Sequence, residues 1–478
     1  FVGVPDGVGF RVTGGTLALA TVKPAAPADT RSWLALNGTL TGGSFVGVPG
    51  LGLTIVRLGV EINRGSNGAL EIPALDWTDA FDLDGDGAFD DDVVAGTHTF
   101  AFTGDRLAAS GVANVDLFGF VRGTIGFDFE TATVDVSDPV AGVTLDNAKL
   151  TTLAITIAPA PLPGDPPSVP FFVGVGDVGF QIGGGTLAMA MLKAGTPGDA
   201  RSWTSIKSSV ITNVGLVGID GFTLMAQQLQ VEINQASGTP TVKALNWQTA
   251  IRYAETGAYG DDVTVGGVTI DATGQLLRVF VTATIQIDSF VHVSGNFAIE
   301  KGDDLFVTAG PGPTIRATAL KIGASNVNVF AGFGHGTPDA LGLQLSNVSL
   351  AVVLLKEAPT VARPVPTKSW FALKASGGAA LVGIDNFALG GTLTVEVNSA
   401  TDTAAPALTD AVVGFTQLPG GKLTVATGPS PAPSIDIAYS GRLLRVAGSA
   451  FITIDSFVHV SASFAFEKGD DISVTLEN

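Results

Sequence analysis

Three observations predict an all-β protein, an elongated β-solenoid-like or stacked double-sheet array built from three repeats of about 167 residues. The first is self-similarity: Gly441 to Thr475 repeats Gly274 to Thr308 with 24 of 35 positions identical, and a more divergent copy starts at Gly104. The second is an apolar/polar alternation with a period of two, the period of a strand and not of a helix. The third is composition, because 62 glycines and 25 prolines beside abundant Val, Thr and Ala favour strands and turns.

Landmarks taken in order fix the repeat. Arg31-Ser32-Trp33, Arg201-Ser202-Trp203 and Lys368-Ser369-Trp370 recur 170 and then 167 residues apart. The segments VEIN (Val60 to Asn63), VEIN (Val231 to Asn234) and VEVN (Val395 to Asn398) follow each at a similar interval. The repeats are therefore 1–170, 171–328 and 329–478. The opening FVGVPDGVGF matches FVGVGDVGF at Phe172 to Phe180, so we expect a window of a longer polypeptide that starts on a repeat boundary.

From Val446 to Phe466 every second residue is apolar or small, and the intervening set carries Arg445, Asp455, His459 and Glu467. The second copy keeps this register, and the first keeps it from Ala109 to Phe129. A slip of one residue would reverse the faces, so the agreement specifies strands and assigns the apolar set to the core. A straight strand of this length would span about 75 Å at about 3.3 Å per residue. We therefore expect a corner near Asp288-Ser289 and Asp455-Ser456, and similar strand, corner, strand phrases at Phe371 to Asn398 and Trp203 to Asn234. The proline-rich Ala158 to Pro170 reads as a looped insertion between layers.

Charge and composition exclude several classes. A formal charge of −19 leaves no electrostatic footprint for nucleic acid or anionic membranes. No stretch approaches the roughly 20 apolar residues of a membrane helix. The absence of cysteine excludes thiol chemistry, and with only three methionines it suits an extracellular or cell-surface location.

The strongest chemical signal is FDLDGDGAFDDD. Asp82, Asp84 and Asp86 occupy positions 1, 3 and 5 of a calcium loop, Gly87 supplies the turn, Ala88 offers a carbonyl, and Asp90 sits at position 9. Hard oxygen ligands at alternating positions suit Ca2+. The loop resembles those of EF-hand, dockerin and thrombospondin-type sites but has Val93 at position 12, so Asp91 or Asp92 must replace the bidentate acid. In the second repeat the three aspartates become Arg252, Ala254 and Thr256 while Asp261-Asp262 persist, which makes calcium a local stabiliser of the first repeat only. The glycines of FVGVGDVGF (Gly174, Gly176, Gly179) match a dinucleotide fingerprint by spacing, but they lead into another strand and not a helix. His292 and His459 are equivalent surface residues without an assignable catalytic partner. Trp33, Trp203 and Trp370 read as buried anchors at strand starts, with sugar stacking as the alternative.

The phrases LVGID, VEVN, LLRVAGS and FVHVSASFAFEKG resemble the repeats of giant, adhesin-like bacterial extracellular proteins. That resemblance implies a non-enzymatic structural or adhesive segment, an acidic β-rod or filament, without a catalytic site. Its partners would be neighbouring repeats of the same long chain, identical chains in a filament, and a glycan or cell-surface ligand. The alternatives are a carbohydrate-binding or carbohydrate-cleaving β-solenoid, and a lipid-conducting groove if the apolar face is open and not filled.

Overall fold

The computed structural model describes residues 2–3, 9–46, 51–196, 198–238, 242–253, 257–310, 312–361, 363–404, 411–429, 431–455 and 457–469. They form strands, turns and two short 3-10 turns, without an α-helix. The fold is therefore all-β. No helix among the described residues is long and apolar enough to cross a membrane. The chain divides into two compact units, residues 1–211 with 233–275, and residues 212–232 with 276–478.

In the first unit the main strands are β1 (Gly9–Val22), β2 (Arg31–Val46), β3 (Leu51–Asn67), β4 (Arg106–Leu117), β5 (Val121–Asp138), β6 (Val143–Ile157), β7 (Gly185–Lys193) and β8 (Ser202–Ser208). Each pairs antiparallel with the next. The second unit repeats this plan with β9 (Leu276–Ile287), β10 (Val291–Lys301), β11 (Thr314–Phe333), β12 (Leu341–Glu357), β13 (Lys368–Val382), β14 (Phe387–Asp402), β15 (Leu443–Ile454) and β16 (Val458–Lys468). It too is antiparallel throughout these pairs. A coiled solenoid would need parallel neighbours, so the ladders select the stacked-sheet alternative.

The expected corners are hairpin turns. Ile287 pairs with Val291 and Ile454 with Val458, so the chain reverses at Asp288 and Asp455 instead of bending. Both aspartates have left-handed φ, 48° and 49°, and Phe118 holds the equivalent turn of the first repeat at 57°. Asp tolerates this region better than most residues, and a three-residue turn uses it. The turns close with bonds from Phe120 N to Leu117 O and from Phe290 N to Ile287 O, at 2.9 and 3.2 Å. Asp385-Asn386, the corner of the phrase Phe371 to Asn398, is likewise a turn between β13 and β14. Period-two alternation continues through a tight hairpin, so it could not distinguish one long bent strand from two short ones.

Burial also departs from the sequence reading. The residues that share a face are those the alternation paired, but the large apolar ranks are not the covered ones. Within each repeat the excursion after the VEIN-type strand folds back over the opposite face. Trp77, Phe100 and Phe102 pack on Ala18 and Ala35. Trp247, Ile251, Val263 and Ile270 pack on Val134, Leu150 and Ala188. Val413, Phe415 and Ile437 pack on Ala317, Val353 and Ala372. Short two-stranded sheets in these excursions, such as Val263–Val265 with Val268–Ile270, form a second layer over the main sheet. Small residues on the covered face let the cap approach: a Cβ at Gly323 would lie 2.0 Å from the Ala426 carbonyl oxygen. On the other face, Leu343, Phe464 and Phe466 are 47%, 50% and 57% exposed.

Ala158 to Pro170 is indeed loop, and it is tied into its own unit. Ala158 N donates to the Thr124 carbonyl at 2.9 Å, Val169 N donates to Thr124 Oγ1 at 2.7 Å, and Arg57 pairs with Asp165.

Candidate functional site

The acidic loop is built from its own backbone. Gly85 and Gly87 take positive φ, 79° and 93°, so that successive N–H groups turn toward the carboxylates. Asp82 Oδ1 accepts from Gly85 N at 2.6 Å, Asp82 Oδ2 accepts from Gly87 N at 3.1 Å, and Asp91 Oδ2 accepts from Leu83 N at 2.5 Å. Asp84, Asp82 and Asp91 each present a carboxylate oxygen within 4.8 Å of the other two. Three hard oxygen donors gathered this closely fit a calcium ion. Asp86 lies outside this group and instead accepts from Ala88 N at 2.8 Å. The carboxylates of Asp90 and Asp92 are also not part of it. Of the two acids expected to replace the missing twelfth ligand, Asp91 is the one brought in.

The second repeat keeps the scaffold of this loop. Asp261 N donates to the Ile251 carbonyl at 3.0 Å, as Asp91 N does to Phe81 at 3.0 Å. Asp261 Oδ2 accepts from Tyr253 N at 2.8 Å, as Asp91 does from Leu83. Arg252, at the position of Asp82, turns away to Asp135 at 2.6 Å. Ala254 and Thr256 lie outside the described residues. The same acid accepts from the equivalent backbone N–H in both loops, and the aspartates at the positions of Asp82 and Asp84 belong to the first repeat.

A second constellation, which the sequence reading used only as a landmark, is the asparagine that ends each VEIN-type phrase. Asn63, Asn234 and Asn398 are fully buried. Each Nδ2 donates to two carbonyls of its cap: Leu75 and Gly104, both at 2.8 Å; Leu245 and Gly274 at 2.7 and 2.8 Å; Val413 and Gly441 at 3.0 and 2.7 Å. In the first two repeats Oδ1 accepts from an indole N–H, Trp77 at 2.8 Å and Trp247 at 2.9 Å. In the third, Phe415 occupies the indole's place, and Asn398 Oδ1 has no partner among the described residues. The signal was present in the recurrence of Asn followed by an aromatic 14, 13 and 17 residues later. The amide is the pin that fastens each cap to its sheet.

Beside each pin lies an ionic ladder. Arg106 bridges Glu61 and Glu130, both at 2.6 Å; Arg278 bridges Glu232 and Glu300 at 3.1 and 2.8 Å; Arg445 bridges Glu396 and Glu467 at 2.9 and 2.8 Å. Burial pushes the Glu300 carboxyl up, but Lys321 and Arg278 outweigh it and hold the group below the usual carboxylate range. Exposed pairs such as Arg445–Glu467 contribute little to stability, and their value here is in fixing register across three strands.

The tryptophans Trp203 and Trp370 are buried, and their indoles donate to the Lys243 and Ala411 carbonyls, both at 3.0 Å. Trp33 makes the same bond to the Pro73 carbonyl at 3.1 Å. They are anchors, and no flat indole face is laid open for a sugar at Trp203 or Trp370. His292 has an unforeseen partner: its ring stacks on His335 at 4.0 Å and 16°, beside Phe330. Burial and then the neighbouring His292 hold His335 below the ordinary histidine range. No family model matches the sequence, and no curated protein matches it.

Proposed function

We propose that the chain is a non-enzymatic structural segment of a larger extracellular or cell-surface bacterial protein, in which repeated β-sheet surface and not a cleft does the work. The observation that supports this reading is the thrice-built module: one buried asparagine, two cap carbonyls and a register-fixing Arg–Glu ladder recur in each repeat. Repetition of a fastening device, as opposed to a reactive group, is what an array of interchangeable modules requires. Calcium belongs to this reading as a local brace of the first repeat, held by Asp82, Asp84 and Asp91. Protease added to intact cells that produce the full polypeptide is expected to cut this segment without lysis. A segment that remains intact outside lysed cells, or reproducible cleavage of a polysaccharide by the purified protein, overturns the proposal.

A further inference from the structure

The uncovered face of the second unit is a continuous apolar field. Register places Leu343, Leu381, Leu389, Ile452 and Val460 in one rank across β12 to β16. A parallel rank runs through Phe297, Ala324, Leu350, Ala375, Val395 and Val446. Seven strands at about 4.8 Å and some ten residues at about 3.3 Å make a field on the order of 1,000 Å2. The largest patch on a typical monomer is about 300–600 Å2, so this one marks a binding surface.

The field is hollowed and has a chemically distinct end. Where β11, β12 and β13 approach that end, a depression of about 440 Å3 is lined by Leu320, Leu354 and Phe371 and by Lys301, Lys356 and Thr318. Ser369 and Thr401 add two more hydroxyls, and no carboxylate lines it although the chain carries −19 overall. Both lysines are exposed, and neither makes an ion pair among the described residues. The volume falls within the roughly 300–1,000 Å3 of small-molecule sites. A second, almost wholly apolar hollow of about 280 Å3 lies farther along the field at Leu343, Leu381, Leu389 and Leu393. Bulges with left-handed Asn326 and Asn347 bend β11 and β12 between the two.

We propose that this face binds a single-chain anionic lipid of the fatty-acid class, with the carboxylate at Lys301 and Lys356 and the alkyl tail along Leu354, Val352 and Leu350. Two features choose this occupant over a second copy of the chain. A hollowed face cannot seat itself on an identical hollowed face, whereas an alkyl chain conforms to the depression. The two lysines share the hollow with no acidic side chain, so it complements an anion and not a second copy of the same lysine-bearing hollow.

The test is titration of the full chain with oleate below its micelle concentration, read by calorimetry, beside oleyl alcohol and acetate. Oleate is expected to saturate, the alcohol to bind about tenfold more weakly and acetate not to bind over the same range. The Lys301→Ser/Lys356→Ser double variant is expected to weaken oleate about tenfold and leave the alcohol unchanged. Leu354→Glu is expected to weaken both by at least about tenfold. Folding is checked by circular dichroism, and Leu320→Glu, in the lining of the same hollow, provides an independent apolar variant. Non-saturable uptake, equal affinity in the lysine double variant, unchanged binding in both glutamate variants, or a concentration-dependent dimer that oleate does not dissociate each overturns the proposal.

Discussion

Asn234→Ala isolates the fastening of a cap to its sheet. The side chain is fully buried and makes three hydrogen bonds of 2.7 to 2.9 Å, so its loss strands two carbonyls and one indole N–H away from water. Each of the three stranded groups costs about 1–3 kcal/mol, which gives about 3–9 kcal/mol for the site. Asn398→Ala is expected to cost about 1–2 kcal/mol less, because it strands two carbonyls and at the same time removes an acceptor that has no partner among the described residues. Native-state hydrogen exchange reads this site by site: amides of 242–275 should lose protection in the first variant more than amides of 411–442 lose in the second. A double-mutant cycle sharpens the comparison, since Trp247→Phe should cost about 1 kcal/mol less in the Asn234→Ala background than alone. If the Asn398 variant proves the more damaging, or Asn234→Ala costs under about 1 kcal/mol, the asparagine is not the pin.

Calcium at about a hundred times its dissociation constant should raise the stability of the first repeat by about 2.7 kcal/mol. Chelator should then expose amides around 81–102 while leaving 251–272 unchanged, and Asp82→Asn should abolish the difference; equal responses of the two loops would remove the ion from the account. The depressed carboxyl of Glu300 gives the second unit a pH dependence. Its contribution is complete above the unfolded value of about 4.3 and is lost as pH falls from there through the folded value. Urea midpoints measured between pH 6 and 3 should fall for the parent and fall less for Lys321→Met, and parallel curves would sink the assignment.

Strand content, the partition of residues between two faces, and the repeat interval were all legible in the sequence, because side-chain alternation and copy number are local properties. The acidic loop was legible as a turn of aspartates, but the comparison with the second repeat did not show that Asp91, whose counterpart Asp261 persists there, gathers with Asp82 and Asp84 while Asp86 does not. Which face is covered was not legible. Alternation says that Val446 and Phe466 look the same way, but burial depends on where the segment after Asn398 folds, and that segment lies over the alanine-bearing face instead. The choice between a corner and a hairpin at Asp288 also required the partner strand, since both keep the period. The selection of Asp91 over Asp92, the pairing of His292 with His335, and the placing of Lys301 and Lys356 on one hollow join residues from separated positions. The sequence determined the strands and their two chemistries; only the tertiary structure decided which chemistry faces the caps and which is left open, because that depends on contacts between segments that no periodicity encodes.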